Sequence, residues 1–115
     1  MTTLYLSIAL FALGAMVGMY LLALVLQKKQ TPKFVAFVHG IFVVVALILL
    51  FMYSRGTPGF TEAIVLFVLA AIGGLVLIIR DVGGRTIPKW LALGHGLLAI
   101  VGFIFLLVSA FGGVD

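Results

Sequence analysis

The chain has 115 residues, of which 65% are hydrophobic and only 9% are charged, with a formal net charge of +4 and no cysteine. About a quarter of the residues in soluble domains are charged, so this composition excludes an ordinary soluble protein. The lack of cysteine excludes disulfides, thiol redox chemistry and iron–sulfur ligation by this chain. The composition is that of a membrane protein.

Four apolar runs follow one another along the sequence, at residues 4–26, 34–53, 63–79 and 90–111. A helix needs about 20 apolar residues to cross a hydrocarbon core that is about 30 Å thick. The first run has no basic segment before it and is longer than the apolar part of a signal peptide, so we interpret it as a helix. The sequence therefore predicts an all-α polytopic membrane protein, a four-transmembrane-helix bundle that forms a single membrane domain over residues 1–115.

The basic residues are concentrated in two of the three loops. Arg55 lies in the second loop, and the other six lie in or beside the first and third: Lys28, Lys29, Lys33, Arg80, Arg85 and Lys89. Short loops rich in lysine and arginine stay in the cytoplasm, which predicts that both termini are outside. We expect a bacterial inner membrane, and we expect the basic rim to meet anionic lipid head groups of the bilayer rather than nucleic acid.

The two halves of the sequence resemble each other at an offset of 56 residues, which is the separation of the two histidines. The informative matches involve residue types that are scarce in this chain: Pro32 with Pro88, Lys33 with Lys89, His39 with His95, and Gly40 with Gly96. We interpret the chain as two tandem helical hairpins, with repeat one at about 4–53 and repeat two at about 60–111. Such parallel repeats are related by an axis along the membrane normal.

Loop residues predict where the helices begin and end. Thr31 is expected to cap the second helix with Pro32 in its first turn, Thr57-Pro58 is a candidate start for the third, and Gly83-Gly84 is expected to end it. Each histidine lies seven residues after a proline, a rise of about 10 Å along a helix. Both imidazoles are therefore expected at one depth, near the basic loops.

Two imidazoles at equal depth on the second and fourth helices match a bis-histidine haem b site, because haem iron takes axial ligands from opposite faces of one porphyrin. His39 and His95 are the candidate metal ligands, and Gly40 and Gly96 are candidate spacers beside them. Lys33, Lys89, Arg80 and Arg85 are candidate partners of the haem propionates. Met16 and Met19 are weaker candidates for ligands, since methionine more often fills a core.

These residues predict a small cytochrome b that carries single electrons through one haem. We expect an electron carrier rather than an enzyme, working with other membrane redox subunits or as a homo-oligomer. One alternative is a cofactor-free structural subunit, because small residues four apart, such as Gly14 with Gly18 and Ala70 with Gly74, are typical of close helix packing in membranes. Another is a small transporter whose pore contains the two histidines.

Two families resemble the chain in general outline. Its size and helix number are similar to those of the small multidrug transporters, but their glutamate in the first helix has no counterpart in residues 4–26. Its architecture is also similar to the four-helix cores of b-type cytochromes, in which histidines on transmembrane helices bind haem. The shared features are too general to assign a family.

Overall fold

The computed structural model describes residues 1–112, which form helices joined by short loops. The helices are α1 (Thr2–Leu26), α2 (Lys33–Ser54), α3 (Thr61–Val82) and α4 (Lys89–Leu107), and a π-helical turn (Val108–Gly112) extends α4. All four helices are long and apolar enough to cross a membrane. The predicted all-α class with four candidate spans is confirmed, and it indicates an integral membrane protein.

The structure corrects the predicted start of α2. Pro32 is the N-cap, with an extended backbone at φ −64° and ψ 126°, and the helix begins at Lys33. The Thr31 hydroxyl does not cap the helix, because it donates a hydrogen bond to Oδ2 of Asp81 at 2.9 Å. The Thr31 side chain, which the local sequence assigned to the cap, thus bonds to a carboxylate in the last turn of α3.

The structure also corrects the start of α3 and agrees with its predicted end. Thr57-Pro58 does not begin the helix, since α3 starts at Thr61 with Phe60 as its N-cap. Between them Gly59 has φ +104°, a conformation that turns the chain away from a helix and that glycine adopts readily. At the other end Gly83 caps the helix as expected.

Both α1 and α3 end in a turn with a left-handed residue, Lys28 at φ 58° and Gly84 at φ 75°. After α1, the N–H groups of Lys28 and Lys29 donate to the carbonyls of Val25 and Leu24 at 3.0 and 2.9 Å. After α3, those of Gly84 and Arg85 donate to Asp81 and Arg80 at 3.1 and 2.9 Å. This pattern is the Schellman motif, which satisfies the last carbonyls of a helix.

The helices pack mainly as α1 against α2 and α3 against α4, while contacts of α1 with α4 and of α2 with α3 complete the bundle. The helices α1 and α3 therefore lie diagonally opposite each other, as do α2 and α4. The rings of Phe11 and Phe67 stack across the centre with their centroids 3.9 Å apart. This stacked pair joins the two diagonal helices α1 and α3.

The buried core is confined to one half of the bundle, which we call the packed half; it contains the loop with Arg55. Its core consists of Leu4, Phe11, Ala46, Leu50, Phe60, Ala63, Phe67 and Leu106. The other half, which we call the basic half, contains helix segments 15–26, 33–45, 71–82 and 89–101 with the loops between them. Among the described residues of those segments, Ala92 alone is buried. The four helices therefore bury fewer of their residues at the end that carries most of the positive charge.

Candidate functional site

His39 on α2 and His95 on α4 face each other across the bundle. Their ring centroids are 6.2 Å apart, and the ring planes are nearly perpendicular at 88°. Both side chains are half-buried, and they lie in the basic half. The structure thus brings together the two histidines that matched when the two halves of the sequence were compared.

Each imidazole is held by a carbonyl of the neighbouring helix. Nδ1 of His39 lies 2.8 Å from the carbonyl oxygen of Gly14, and Nδ1 of His95 lies 2.7 Å from that of Ala70. A carbonyl can only accept a hydrogen bond, so Nδ1 must be the protonated nitrogen in both rings. In a neutral imidazole this leaves the Nε2 lone pair free to accept a proton or bind a metal.

The Nε2 atoms have no hydrogen-bond partner within residues 1–112, where the only side-chain bonds of the two rings are those made by Nδ1. In the same part of the chain, no buried side-chain nitrogen or oxygen lacks a partner. Both Nε2 atoms must therefore reach accessible surface. Two electron-pair donors are available at the centre of the bundle.

Glycines on α1 and α3 make room for the rings. A Cβ atom added to Gly18 would lie 2.9 Å from Cε1 of His39, and one added to Gly74 would lie 2.9 Å from Cε1 of His95. Real Cβ atoms do not approach other carbons this closely, so a larger residue would displace the imidazole. Gly18 and Gly74 therefore determine how near each ring lies to its neighbouring helix.

The glycines that follow the histidines occupy more open positions. A Cβ atom on Gly40 would meet nothing within 4 Å, and one on Gly96 would come within 3.8 Å only of Leu22. The contacts that position the rings involve the small pairs Gly14 with Gly18 and Ala70 with Gly74. In each pair the carbonyl of the first residue bonds to the imidazole, and the missing side chain of the second leaves room for the ring. The four-residue spacing of these small residues was the sequence feature that could have indicated the contact.

The basic candidates divide into two groups. Nζ of Lys33 pairs with Oδ1 of Asp81 at 3.4 Å, and the guanidinium of Arg80 donates to the carbonyl of Thr86 at 3.1 and 3.3 Å. Arg85 and Lys89 instead line an open cavity of about 600 Å³ between the first and third loops. Of the four propionate candidates, only Arg85 and Lys89 line this cavity, where an anion could reach them.

Side chains other than the histidines provide no alternative metal site in the described part of the chain. Met16 and Met19 are 68% and 66% exposed on the outer surface of α1. No group of three or more His, Cys, Asp or Glu residues within 1–112 could hold a metal ion. A metal at His39 and His95 would therefore need further ligands from another molecule, as a porphyrin provides.

No protein-family model, curated protein or solved structure matches the chain. Function is therefore inferred from the two histidines, their hydrogen bonds and the basic half of the bundle.

Proposed function

We propose that the chain is a small b-type cytochrome that holds one haem b between His39 and His95 and carries single electrons. The observation that carries this proposal is the pair of Nδ1–carbonyl hydrogen bonds, which leave two Nε2 lone pairs available. Metal-bound histidines usually donate their other ring N–H to a carbonyl or carboxylate, which fixes the tautomer and orients the ring. Both imidazoles already have this second interaction.

The separation of the rings supports the proposal. A metal–imidazole bond is about 2 Å long and the ring centre lies about 1 Å beyond the nitrogen, so two imidazoles on one metal have centres about 6 Å apart. The centroids of His39 and His95 are 6.2 Å apart. The observed spacing is therefore close to that of two imidazoles that bind one metal from opposite sides.

The basic half offers candidate partners for the propionates of a haem held by the histidines. A cavity of about 600 Å³ lies beyond the helix ends, between the first and third loops, and neither histidine lines it. Arg85 and Lys89 line that cavity and would bind the haem propionates. Lys33 and Arg80 would need to leave Asp81 and the Thr86 carbonyl to do so.

When bound, haem supplies one-electron exchange between ferric and ferrous iron. Two histidine ligands leave no open iron position, which favours electron transfer over oxygen binding or catalysis. His39 and His95 would hold the iron and would exchange no proton in this role, because each Nδ1 keeps its proton and donates it in a hydrogen bond to a carbonyl. The electron partners are other membrane redox subunits or a second copy of this chain.

The proposal includes a gene-duplication origin and an orientation. The two Nδ1–carbonyl bonds each join residues 25 positions apart, and both lie at the offset of 56 residues that aligns the halves. The two Schellman turns follow the same offset. Positive charge in the first and third loops supports an N-out and C-out orientation in a bacterial inner membrane.

Absorption spectra of the purified protein test the cytochrome proposal. Protein made in cells supplied with a haem precursor should show a Soret band and, after reduction, sharp α and β bands of six-coordinate low-spin haem b. His39→Ala and His95→Ala should each abolish the low-spin spectrum, because either removes one axial ligand. Gly94→Ala is the control, since its new methyl group meets nothing within 4 Å. A colourless wild type, or two histidine variants with unchanged spectra, would contradict the proposal.

A cofactor-free structural subunit is the second candidate, and the ring contact itself favours it. Perpendicular rings 6.2 Å apart and two interhelical hydrogen bonds can hold helices together without a ligand. In that case the wild type is colourless, and each His→Ala variant loses about 0.6–2 kcal/mol of stability through one interhelical bond.

A further inference from the structure

The open cavity between the first and third loops has a positively charged wall, and neither histidine lines it. Loop residues after α1 and α3 line it, and four of them are cations: Lys28, Lys29, Arg85 and Lys89. Within residues 1–112 the only ion pair joins Lys33 to Asp81, so none of these four cations is neutralised by a carboxylate there.

The one carboxylate on the cavity wall is already engaged. Oδ2 of Asp81 accepts a hydrogen bond from the Thr31 hydroxyl at 2.9 Å, and Oδ1 accepts one from Nζ of Lys33 at 3.4 Å. Lys33 itself does not line the cavity. Both carboxylate oxygens of Asp81 thus have partners, and the remaining charges on the wall are positive.

The backbone of both loops places these cations. Each Schellman turn reverses the chain directly after its helix, so Lys28 and Lys29 follow α1 as Gly84 and Arg85 follow α3. The helices end at Leu26 and Val82, so the cavity lies just beyond the apolar spans. In a bilayer this is the level of the phospholipid head groups.

We propose that this cavity binds the phosphate head group of an anionic phospholipid. Four cations would meet the phosphate, and Val25, Ile87 and Pro88 offer apolar wall for the start of the acyl chains. Basic pockets between transmembrane helices on the cytoplasmic side are typical sites for anionic lipid head groups. The inference does not rest on haem, because Lys28 and Lys29 remain for the lipid if haem propionates bind Arg85 and Lys89.

Native mass spectrometry of the detergent-purified protein tests this site, because bound lipid and bound haem appear as separate mass increments. Titration with phosphatidylglycerol should give a one-to-one complex at lower concentration than titration with phosphatidylcholine. Each cation near the lipid contributes about fivefold to binding, so Lys28→Gln combined with Lys29→Gln should weaken the phosphatidylglycerol complex about 25-fold. Haem occupancy read from the same spectra shows separately whether the cytochrome proposal holds.

Arg55→Gln is the control for loss of charge, because Arg55 lies in the second loop at the other end of the bundle and does not line the cavity. This variant should weaken binding less than about fivefold. Lys28→Arg combined with Lys29→Arg should keep wild-type affinity, which separates loss of charge from loss of fold. Equal binding of the two lipids, a loss in Arg55→Gln as large as that in the neutral pair, or complete displacement of the lipid by excess inorganic phosphate would overturn the proposal.

Discussion

The packed half and the basic half of the bundle are built from the same four helices but bury different amounts of their own surface. In the packed half Leu50 and Leu106 are fully buried, and the Ser7 hydroxyl donates to the Ala46 carbonyl at 2.8 Å. In the basic half only Ala92 is buried among the described helical residues. The packed half is therefore joined by buried apolar contacts and one buried interhelical hydrogen bond, whereas the basic half is joined by fewer buried contacts and by the two histidine–carbonyl hydrogen bonds.

The histidines lie between the core of the packed half and the cavity. Along the helices, the buried core is on one side of them and the loops that line the cavity are on the other. A binding site needs ligands that are held in position before the binding partner arrives. The Nδ1–carbonyl hydrogen bonds hold both rings in this way.

Truncating a leucine in each half should give the largest contrast in stability. Leu50→Ala leaves a cavity in the packed half and should cost about 2 kcal/mol, at the low end of core truncations because lipid tails are as apolar as the protein interior. Leu22→Ala in the basic half should cost less than about 1 kcal/mol, since Leu22 is only half-buried. Reversible unfolding in mixed micelles measures both, and equal losses would mean that the two halves are packed alike.

Enlarging a glycine beside a histidine should have a smaller effect on stability than the leucine truncation and a direct effect on the site. Gly18→Ala would place a methyl carbon 2.9 Å from Cε1 of His39, so the ring must move from the Gly14 carbonyl at a cost of about 1–2 kcal/mol. The haem spectrum should weaken in the same variant. Gly94→Ala, where the new methyl group meets nothing within 4 Å, should match the wild type in both assays. A Gly18→Ala protein that retains full stability and spectrum would show that the close approach is not required.

The sequence predicted the helices and the pairing of the histidines because both depend on local or repeated patterns. Apolar runs predict spans wherever lipid is the solvent, and the two scarce histidines repeat at the offset that aligns the halves. The sequence indicated Gly18 and Gly74 only as small residues suited to close packing, and it did not predict their contact with the imidazoles. Small residues pack against lipid, helices or cofactors equally well, so only the position of the neighbouring helix reveals that they contact the rings.

The loops were predicted less well because their side chains bond to distant parts of the chain. Thr31 has the sequence context of a helix cap, but it donates to Asp81, which is 50 residues away. Lys33 pairs with the same carboxylate at 3.4 Å. Such competition depends on how the first and third loops meet, which no local pattern specifies.

Electron paramagnetic resonance of the oxidised wild-type protein tests the bis-histidine site most directly. The ring planes of His39 and His95 are 88° apart, and perpendicular imidazoles on ferric haem give a strongly anisotropic low-spin signal with one large g value. We expect this signal from the wild type, and we expect it to be lost in His39→Ala and in His95→Ala. The absence of any haem signal, or a low-spin signal that persists in both variants, would contradict coordination of haem iron by these two histidines.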